Sequence, residues 1–550
     1  MEATASVTRP LSPVVSLLEI CYPAKSTVLL PLSFGRVNDG RPVTSQTLLF
    51  RLPIELVEEV VTYLDTADLR SLALVDRDCR QLARARLFTS VTLEYSDEKW
   101  TLLDELSHHE ARSRRDNDGV TEGPSIGACI RRVTVAKQSR GIGNRHRILS
   151  PTNDSISKEE KCVMHDAVCN YCGTYLPDIA NALRFSLPNL DEFIWLDSES
   201  VPHHMQIAIA SSPIRHLSLR DVRLSLNCEY LLPPLEQQRW ALRSLELGAF
   251  LYPHSGWRSR DVSKFCITIL KAAAPTLEKL SWRGYLGGKL SFGNSAIRFP
   301  RLRTLSFATG CMPDDTALDA FFPSDAENYA LYALSVNIPV LHGRGSLAQR
   351  GRIRGLESMR LHTISRNPHD SRATDAALLS ANPHLKSLTL LATSTEKLTT
   401  TLLPLLASEF KFLTTLIVYF TLPIVHPSDF FAAIGEVTSL VSLWIVGGDR
   451  CDWTDDVART IAALSPLRNL ARLGLSERCT GITPPLLPEP GDRYKERMRN
   501  IVELYVRALK KLRWVYFGQL VHKVVGDVVV TGEGGLRHYS PEGLWESPYW

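Results

Sequence analysis

The sequence predicts an α/β repeat protein that starts with a short helical module. Two observations support this prediction. Residues 52–88 form one dense helical segment that occurs once, and beyond it a phrase of the form apolar-x-x-apolar-x-apolar recurs through the chain. With 550 residues, the chain is also longer than a single ordinary core. We therefore expect a small helical unit followed by an elongated array of short repeats.

Composition indicates a folded protein whose net charge does not favour a particular class of charged partner. Hydrophobic residues make up 44% of the chain, charged residues 22%, and the net charge is +4. This excess is too small to indicate nucleic-acid binding, which needs concentrated Lys and Arg. Eleven Cys without a recognisable secretory signal favour reduced thiols in a cytoplasmic or nuclear protein.

The first 46 residues are predicted to be a poorly ordered leader. Prolines and charged residues interrupt the apolar stretch at 11–34, so no segment reaches the roughly 18 apolar residues that a membrane span requires. The stretch also lacks a charged segment followed by an unbroken apolar core, which argues against a secretory signal. We therefore expect no membrane partner.

Residues 52–88 contain three successive helical patterns. Apolar residues recur at every fourth position from Leu52 to Leu64, which is typical of an amphipathic helix. Asp65 interrupts the pattern and is suited to cap a second helix, and a third helix follows at 77–87. Three short helices bury little surface alone, so this unit is expected to dock onto another protein or domain.

The residues of this segment resemble an F-box. The resemblance rests on the Leu52-Pro53 start and on the Asp68-Leu69 step after the helix break, and it covers residues 47–90. It implies binding to a Skp-type adaptor and, through that adaptor, to a cullin ubiquitin ligase. The residues expected to bind the adaptor are Leu52, Pro53, Leu56, Val60, Leu64, Leu69, Leu72 and Val75.

Two positions in the segment depart from the family. Asp76 and Cys79 stand where the family often has Cys and an aromatic residue. An ordinary three-helix cap on a repeat protein is the alternative interpretation of the segment.

The remainder of the chain reads as an irregular repeat array. After a first phrase at Ile130, successive phrases start 24 to 42 residues apart, about 29 on average. They begin at Leu190, Ile214, Leu242, Leu277, Leu302, Leu331, Leu356, Leu385, Leu413, Leu440, Leu470 and Leu512. The alternating end of each phrase suits a short strand, and several gaps contain helical patterns with Thr374, Ser428 and Thr454 as candidate N-caps.

A strand followed by a helix at this period resembles a leucine-rich-repeat horseshoe. We expect the first strands and a long insertion at 91–189, the solenoid at 190–523, and a terminal strand with an aromatic cap at 524–550. Most units lack the Asn or Cys that usually follows the strand in such repeats.

Residues beside the buried strand positions are expected to face the binding side of the solenoid. Arg, Tyr and Trp are frequent hot-spot residues, so the candidate target-binding residues are Arg220, Arg283, Arg360, Tyr419 and Trp444. The other residues expected on this side are His216, Ser218, Glu246, His362, Thr389 and Tyr516.

Two segments suggest other chemistry. Cys162, His165, Cys169 and Cys172 have zinc-ligand types, although one straight helix cannot surround an ion, so reduced structural thiols are the preferred interpretation. The basic run at 131–147 could approach an acidic group, but its glycines favour a solvated loop.

The sequence contains no recognisable catalytic motif, and no cofactor is expected. Phosphate-binding loops, His-Glu-x-x-His and Gly-x-Ser-x-Gly are absent. The features together predict a non-catalytic substrate receptor of a Skp-cullin-F-box ubiquitin ligase. A leucine-rich-repeat scaffold whose F-box acts outside a ubiquitin ligase is the alternative, and an enzyme with an unmarked site is a third possibility.

Overall fold

A computed structural model describes most of the chain in segments. They are residues 29–38, 40–115, 125–136, 171–197, 201–223, 240–250, 262–284, 289–293, 297–307, 312–323, 331–337, 347–362, 372–392, 396, 398–420, 427–446, 456–476, 491–517, 520–525 and 528–531. The chain divides into two compact units, one within Thr27–Leu302 and the other from Arg303 to the last described strand. This division falls inside the predicted solenoid at 190–523.

The first unit opens with a group of short helices. They are α1 (Phe34–Val37), a 3-10 turn (Leu48–Arg51), α2 (Ile54–Thr62), α3 (Thr66–Leu72) and α4 (Arg77–Leu87). Asp65 caps α3, because its carboxylate accepts hydrogen bonds of 2.8 Å from the backbone N–H groups of Ala67 and Asp68. The helical patterns in residues 52–88 therefore coincide with α2, α3 and α4.

Part of the predicted leader belongs to this helical group. Phe34 and Val37 of α1 are buried in one cluster with Val57 and Val61 of α2 and with Leu82 of α4. Three short helices leave apolar surface that α1 covers. From residue 29 onward, the prediction of a poorly ordered leader ending at residue 46 therefore needs correction.

The rest of the first unit is built from parallel strands and helices. Its strands are β1 (Ser90–Leu93), β2 (Arg132–Val135), β3 (Glu192–Trp195), β4 (His216–Arg223), β5 (Ser244–Phe250), β6 (Lys279–Gly284) and β7 (Lys289–Leu290). Its helices are α5 (Asp97–Arg115), a 3-10 turn (Ile126–Cys129), a π turn (Tyr171–Tyr175), α6 (Leu176–Phe185), α7 (His203–Ser211) and α8 (Val262–Ala273). Strands β1 to β6 form a parallel series in which each strand from β1 to β5 pairs with the next in sequence.

The second unit repeats this arrangement. Its strands are β8 (Thr304–Phe307), β9 (Met312–Pro313), β10 (Ala333–Asn337), β11 (Ser358–His362), β12 (Ser387–Ala392), β13 (Thr415–Phe420), β14 (Ser442–Val446), β15 (Arg472–Ser476), β16 (Trp514–Phe517), β17 (Leu520–Val525) and β18 (Val528–Thr531). Its helices are α9 (Asp315–Phe321), a 3-10 turn (Leu347–Arg350), α10 (Arg372–Ser380), a π turn (Leu398–Leu402), α11 (Leu403–Glu409), α12 (Pro427–Gly435), α13 (Val457–Leu464) and α14 (Gly491–Ala508).

Strand order in the second unit follows the sequence. Strands β8 and β10 to β16 pair in parallel, and β16, β17 and β18 pair antiparallel. Each of the twelve phrases from Leu190 to Leu512 starts two residues before a strand. The first leucines, such as Leu385, Leu413 and Leu440, are fully buried. The protein therefore contains an α/β repeat array with a mostly parallel, leucine-rich-repeat-like arrangement of strands.

Registered apolar residues explain why the repeats stack. Leu388, Leu416, Leu443, Leu473 and Val515 are successive partners across β12 to β16, and all five are fully buried. Because side chains alternate along a strand, these residues share one face of the sheet.

Helix starts in the second unit differ in detail from the predicted caps. Thr374 and Ser428 lie inside α10 and α12 rather than before them, and Thr454 falls outside the described residues. Asp456 caps α13 instead. None of the helices in the described segments is both long enough and apolar enough to cross a membrane.

Candidate protein-binding surfaces

Helix α2 carries two neighbouring stripes of apolar side chains, one buried and one exposed. Val57 and Val61 face the core and are 0% and 4% exposed, whereas Leu56 and Val60 are 48% and 45% exposed. Leu52 is similarly exposed four residues before Leu56. A helix packed on one side only would normally carry polar residues on the other.

Leu52, Leu56, Val60 and Tyr63 form what we call the helical surface. Their spacing of four, four and three residues aligns them along one side of α2 and its ends. Tyr63 is the most exposed of the four. Leu48, Leu74 and Val75 in the adjacent turns are exposed as well. Sequence reasoning missed Leu48, Tyr63 and Leu74, although the position of Tyr63, seven residues after Leu56, was a usable signal.

The predicted adaptor-binding residues divide into three groups. Leu52, Pro53, Leu56, Val60 and Val75 are exposed. Leu64 and Leu72 are partly buried against the helical core, and Leu69 is buried within it. The prediction that Leu69 contacts a partner is therefore corrected, because its side chain is used to pack α3 onto α4 and α2.

Polar contacts fix the chain before α2 against the start of α4. Asp78 is buried, and its carboxylate accepts hydrogen bonds from the backbone N–H groups of Thr44 and Ser45 at 2.6 and 2.7 Å. It also accepts one from the Thr44 hydroxyl at 3.0 Å. These contacts fix residues 44 and 45, which precede Leu48 and Leu52 in the sequence, against the start of α4.

The two departures from the F-box pattern have structural roles. Asp76 caps α4 by accepting a 2.7 Å hydrogen bond from the Cys79 N–H. Burial alone would raise the pKa of Asp76, but hydrogen bonds from Ser45 and Cys79 outweigh it and lower the pKa. The Cys79 side chain is buried, and this burial raises the pKa of its thiol to about 11. The thiol is therefore neutral and has little nucleophilic character.

Charged residues on the sheet of the first unit pair with one another. Arg132 and Glu192 form a 2.6 Å ion pair between β2 and β3. Arg220 of β4 lies 3.0 Å from the Glu246 carboxylate of β5, which also accepts a 2.9 Å hydrogen bond from the Ser218 hydroxyl. The basic run predicted at 131–147 thus contributes Arg132 to the sheet, and its residues from 137 lie outside the described segments.

The second unit carries an apolar cluster on one face of its sheet. We call this cluster the aromatic face, and it consists of Leu391, Ile417, Tyr419, Trp444, Tyr516 and Val521, with Val446 and Trp514 packed against it. The opposite face meets the helices, because Phe420 contacts Phe430 of α12 and Phe517 contacts Tyr505 of α14. Alternation along the strands places the aromatic face on the other side.

A glycine makes room for the central tryptophan of the aromatic face. The rings of Trp444 and Tyr516 stack with centroids 4.9 Å apart. Gly474 lies on β15, between the strands that carry these rings, and a Cβ there would approach the Trp444 ring to 2.4 Å. The stack therefore requires glycine at this position.

The predicted target-binding residues have different environments. Trp444 and Tyr419 are only 1% and 9% exposed, so they do not present open surface as predicted. Arg220 is engaged with Glu246, and Arg360 is half-buried on β11. The Arg283 side chain lies outside the described part of the structure, although its backbone belongs to β6.

The zinc candidates fall mostly outside the described residues. Cys162, His165 and Cys169 are not described, and Cys172 lies in the π turn before α6. Within the part of the chain that the structure describes, no group of three or more His, Cys, Asp or Glu residues could hold a metal ion.

Comparisons with known proteins add little. No family model matches the chain, and no curated protein matches it. One matching solved chain is described as "Crystal structure of TLR13-ssRNA13 complex", with 18% identity and a TM-score of 0.35. The match covers 60% of this protein and 43% of that chain, so this protein spans less than half of its length. The fold assignment accordingly rests on strand order and register.

Proposed function

We propose that this protein is the substrate-recognition subunit of a Skp-cullin-F-box ubiquitin ligase. The observation that supports adaptor binding is the outer side of α2, where Leu52, Leu56 and Val60 are about half exposed while Val57 and Val61 fill the core. A helix whose apolar surface extends well beyond the part that packs on the core is suited to a second protein that covers the exposed part. The F-box resemblance identifies a Skp-type adaptor as that protein.

The contribution of these three residues to the binding free energy can be estimated from the surface that each of them still exposes. Leu52, Leu56 and Val60 each retain roughly half of their surface, so burying them would contribute about 1 kcal/mol each. Replacing one of them by glutamate would weaken adaptor binding more than replacing it by alanine, because the interface would then bury an unpaired charge. Charged substitutions on the outer side of α2 are therefore sharper tests than alanine.

The repeat array would hold the target protein. Extended surfaces made by stacked repeats are suited to protein binding. Holding a target at a fixed distance from a ubiquitin-charged enzyme raises the effective concentration of its lysines, so catalysis is supplied in trans. In this proposal the protein needs no catalytic residues or cofactor of its own.

Capture from the protein's own cell extract tests the proposal. The tagged full chain is compared with the double variant Leu56→Glu/Val60→Glu and with Phe412→Glu as a matched control. Phe412 is also an exposed apolar residue, but it lies in the second unit. Circular dichroism and thermal melting check that all three chains are folded.

We expect the wild type and the control to capture both adaptor and cullin. The double variant should capture at least tenfold less of each. Capture of adaptor without cullin would contradict the ligase assignment and favour a scaffold outside a ubiquitin ligase. Capture of neither by any form would show that the helices are only a cap on the repeats.

A further inference from the structure

Strand β18 lies at one end of the described sheet. Among the described strands it pairs only with β17, in antiparallel orientation. Its residues 528–531 read Val-Val-Val-Thr, so the strand combines high β-propensity with no charged residue and no proline. Natural proteins usually protect an edge strand with lysine, proline or a bulge, and the residues of β18 include neither lysine nor proline. Such a strand is suited to pairing with another strand.

The backbone hydrogen-bonding groups of Val529 point to the outer edge of β18. The Val524 N–H donates a 2.8 Å hydrogen bond to the carbonyl of Arg513, the residue before β16. A residue in an antiparallel sheet directs both its N–H and its C=O toward the same neighbouring strand, so those of Val524 face β16. Val524 therefore forms a non-hydrogen-bonded pair with Val529, its partner on β18. The N–H and C=O of Val529 consequently point away from β17.

Exposed valines accompany these backbone groups. Val528 and Val530 flank Val529 and are 64% and 47% exposed. Val525, which lies opposite Val528 on β17, is 55% exposed. Because side chains alternate along a strand, these three valines share one face of the strand pair, whereas the buried Val529 side chain lies on the other. The edge of β18 thus offers both hydrogen-bonding groups and apolar surface.

The pattern of β18 fits a second copy of the same strand. We propose that β18 pairs in antiparallel orientation with β18 of a second copy of this chain, about a two-fold axis through Val529. The two Val529 residues form a hydrogen-bonded pair, and Val528 of one copy lies opposite Val530 of the other. These valine contacts occupy non-hydrogen-bonded positions, where opposed side chains come closest. The strand is self-complementary in this register, because valine meets valine and no like charges are opposed.

The contact is small, so the pairing is weak. Each copy contributes a strand of four residues, with roughly half of the Val528 and Val530 surfaces available for burial. This contact buries far less than the roughly 1,200 Å² at which stable interfaces begin. We therefore expect dimers to form at about 10–100 μM rather than at nanomolar concentration.

Pairing through β18 would give the receptor two binding sites. A dimer carries two repeat arrays and two helical surfaces. A target that presents two copies of a binding motif would be held at both arrays, and the second contact would gain from a high effective concentration. This use rests on the proposed function, whereas the pairing of β18 does not. Loss of pairing would leave adaptor capture by α2 intact, so the two proposals fail separately.

Sedimentation velocity of the purified full chain tests the pairing directly. Samples between about 1 and 200 μM span the range in which so small an interface should form. We expect the sedimentation coefficient to rise from that of a monomer to that of a dimer across this range. A wild type that stays monomeric throughout would overturn the proposal and leave the edge to a strand from another source.

Two double variants test the register. Both carry Val530→Glu, which lies opposite Lys523 on β17, and they differ only at position 528. Val528→Glu/Val530→Glu places like charges opposite each other twice across the axis, so dimerisation should weaken at least tenfold. Val528→Lys/Val530→Glu places opposite charges there and should dimerise within about fivefold of the wild type. Circular dichroism and thermal melting check that both variants are folded.

The matched control is Val441→Glu, which changes an exposed valine just before β14. It should dimerise like the wild type. Equal weakening by the two double variants would overturn the proposed register. Dimerisation that neither double variant changes, or that Val441→Glu weakens as strongly as Val528→Glu/Val530→Glu does, would show that the copies meet elsewhere.

Discussion

The indole ring of Trp444 stacks on the ring of Tyr516 at an interplanar angle of 26°. The two residues belong to β14 and β16, and the strand between them contributes only Gly474 at this level. An aromatic pair thus spans two strand spacings across a glycine. Neither ring faces the helices, so the stacked pair lies on the opposite face of the sheet.

Even alanine, the smallest replacement, should therefore destabilise the fold at Gly474. Gly474→Ala places a methyl group where the Trp444 ring lies 2.4 Å away, and overpacking of this kind costs about 1–3 kcal/mol. We expect the thermal unfolding midpoint of the second unit to fall by several degrees. Gly35→Ala is the control, because its Cβ meets no atom within 4 Å. Equal midpoints for the two variants would contradict the stack.

Asp78 should stabilise the chain ahead of the helical surface. Asp78→Ala leaves the N–H groups of Thr44 and Ser45 without their carboxylate acceptor, which should reduce the free energy of unfolding by about 2–3 kcal/mol. Tryptic cleavage after Arg51, which is exposed and follows this segment, should accelerate in the same variant. Asp68→Ala removes an exposed carboxylate from α3 and serves as the control. Unchanged cleavage in Asp78→Ala would refute this role.

His522 should make the terminal strands sensitive to acid. Its ring is fully buried, with Nδ1 lying 3.1 Å from the Thr531 hydroxyl, and burial lowers its pKa to about 4. The unfolded chain has the ordinary histidine pKa of about 6.5. Between these values only the unfolded state binds the proton, so the free energy of unfolding falls as the pH falls, by up to roughly 3 kcal/mol.

Urea unfolding between pH 7.5 and 4.5 tests this expectation. The variant His522→Gln keeps a polar side chain but cannot titrate in this range, so its unfolding midpoint should depend less steeply on pH than that of the wild type. Identical pH dependence in the two chains would show that His522 does not contribute.

The ion pair between Arg220 and Glu246 on the sheet of the first unit should stabilise the fold more than an ion pair on a helix surface does. Arg220 and Glu246 are largely buried and share a hydrogen bond with Ser218, whereas Arg499 and Glu503 of α14 are exposed and 4.0 Å apart. Double-mutant cycles should give coupling energies of about 1–2 kcal/mol and about 0.3 kcal/mol, respectively. Equal couplings would contradict the difference in burial.

Much of the repeat architecture could be predicted from the sequence. The phrase beginning at Leu385, for example, places a strand two residues later, because its first leucine and alternate strand residues must be buried against neighbouring repeats. The predicted helical pattern at 77–87 also matches α4. Such features depend on local periodicity, which a sequence displays directly.

Features that depend on distant packing could not be predicted in this way. Trp444 was expected to be open to a target, and its burial depends on residues far along the chain, Tyr516 among them. Phe34 and Val37 lie in a stretch without periodicity, so their packing onto α2 and α4 left no pattern in the sequence. Leu69 shares the spacing of its neighbours, and only the tertiary structure shows that it points into the core.

The central claim is that the outer side of α2 binds a Skp-type adaptor. Hydrogen–deuterium exchange of the purified full chain, with and without a saturating recombinant adaptor, tests it most directly. We expect strong protection in peptides covering residues 48–63, weaker protection around residue 75 and little change in the strands of the second unit. Binding that leaves 48–63 unprotected, or no binding of the adaptor, would contradict the account.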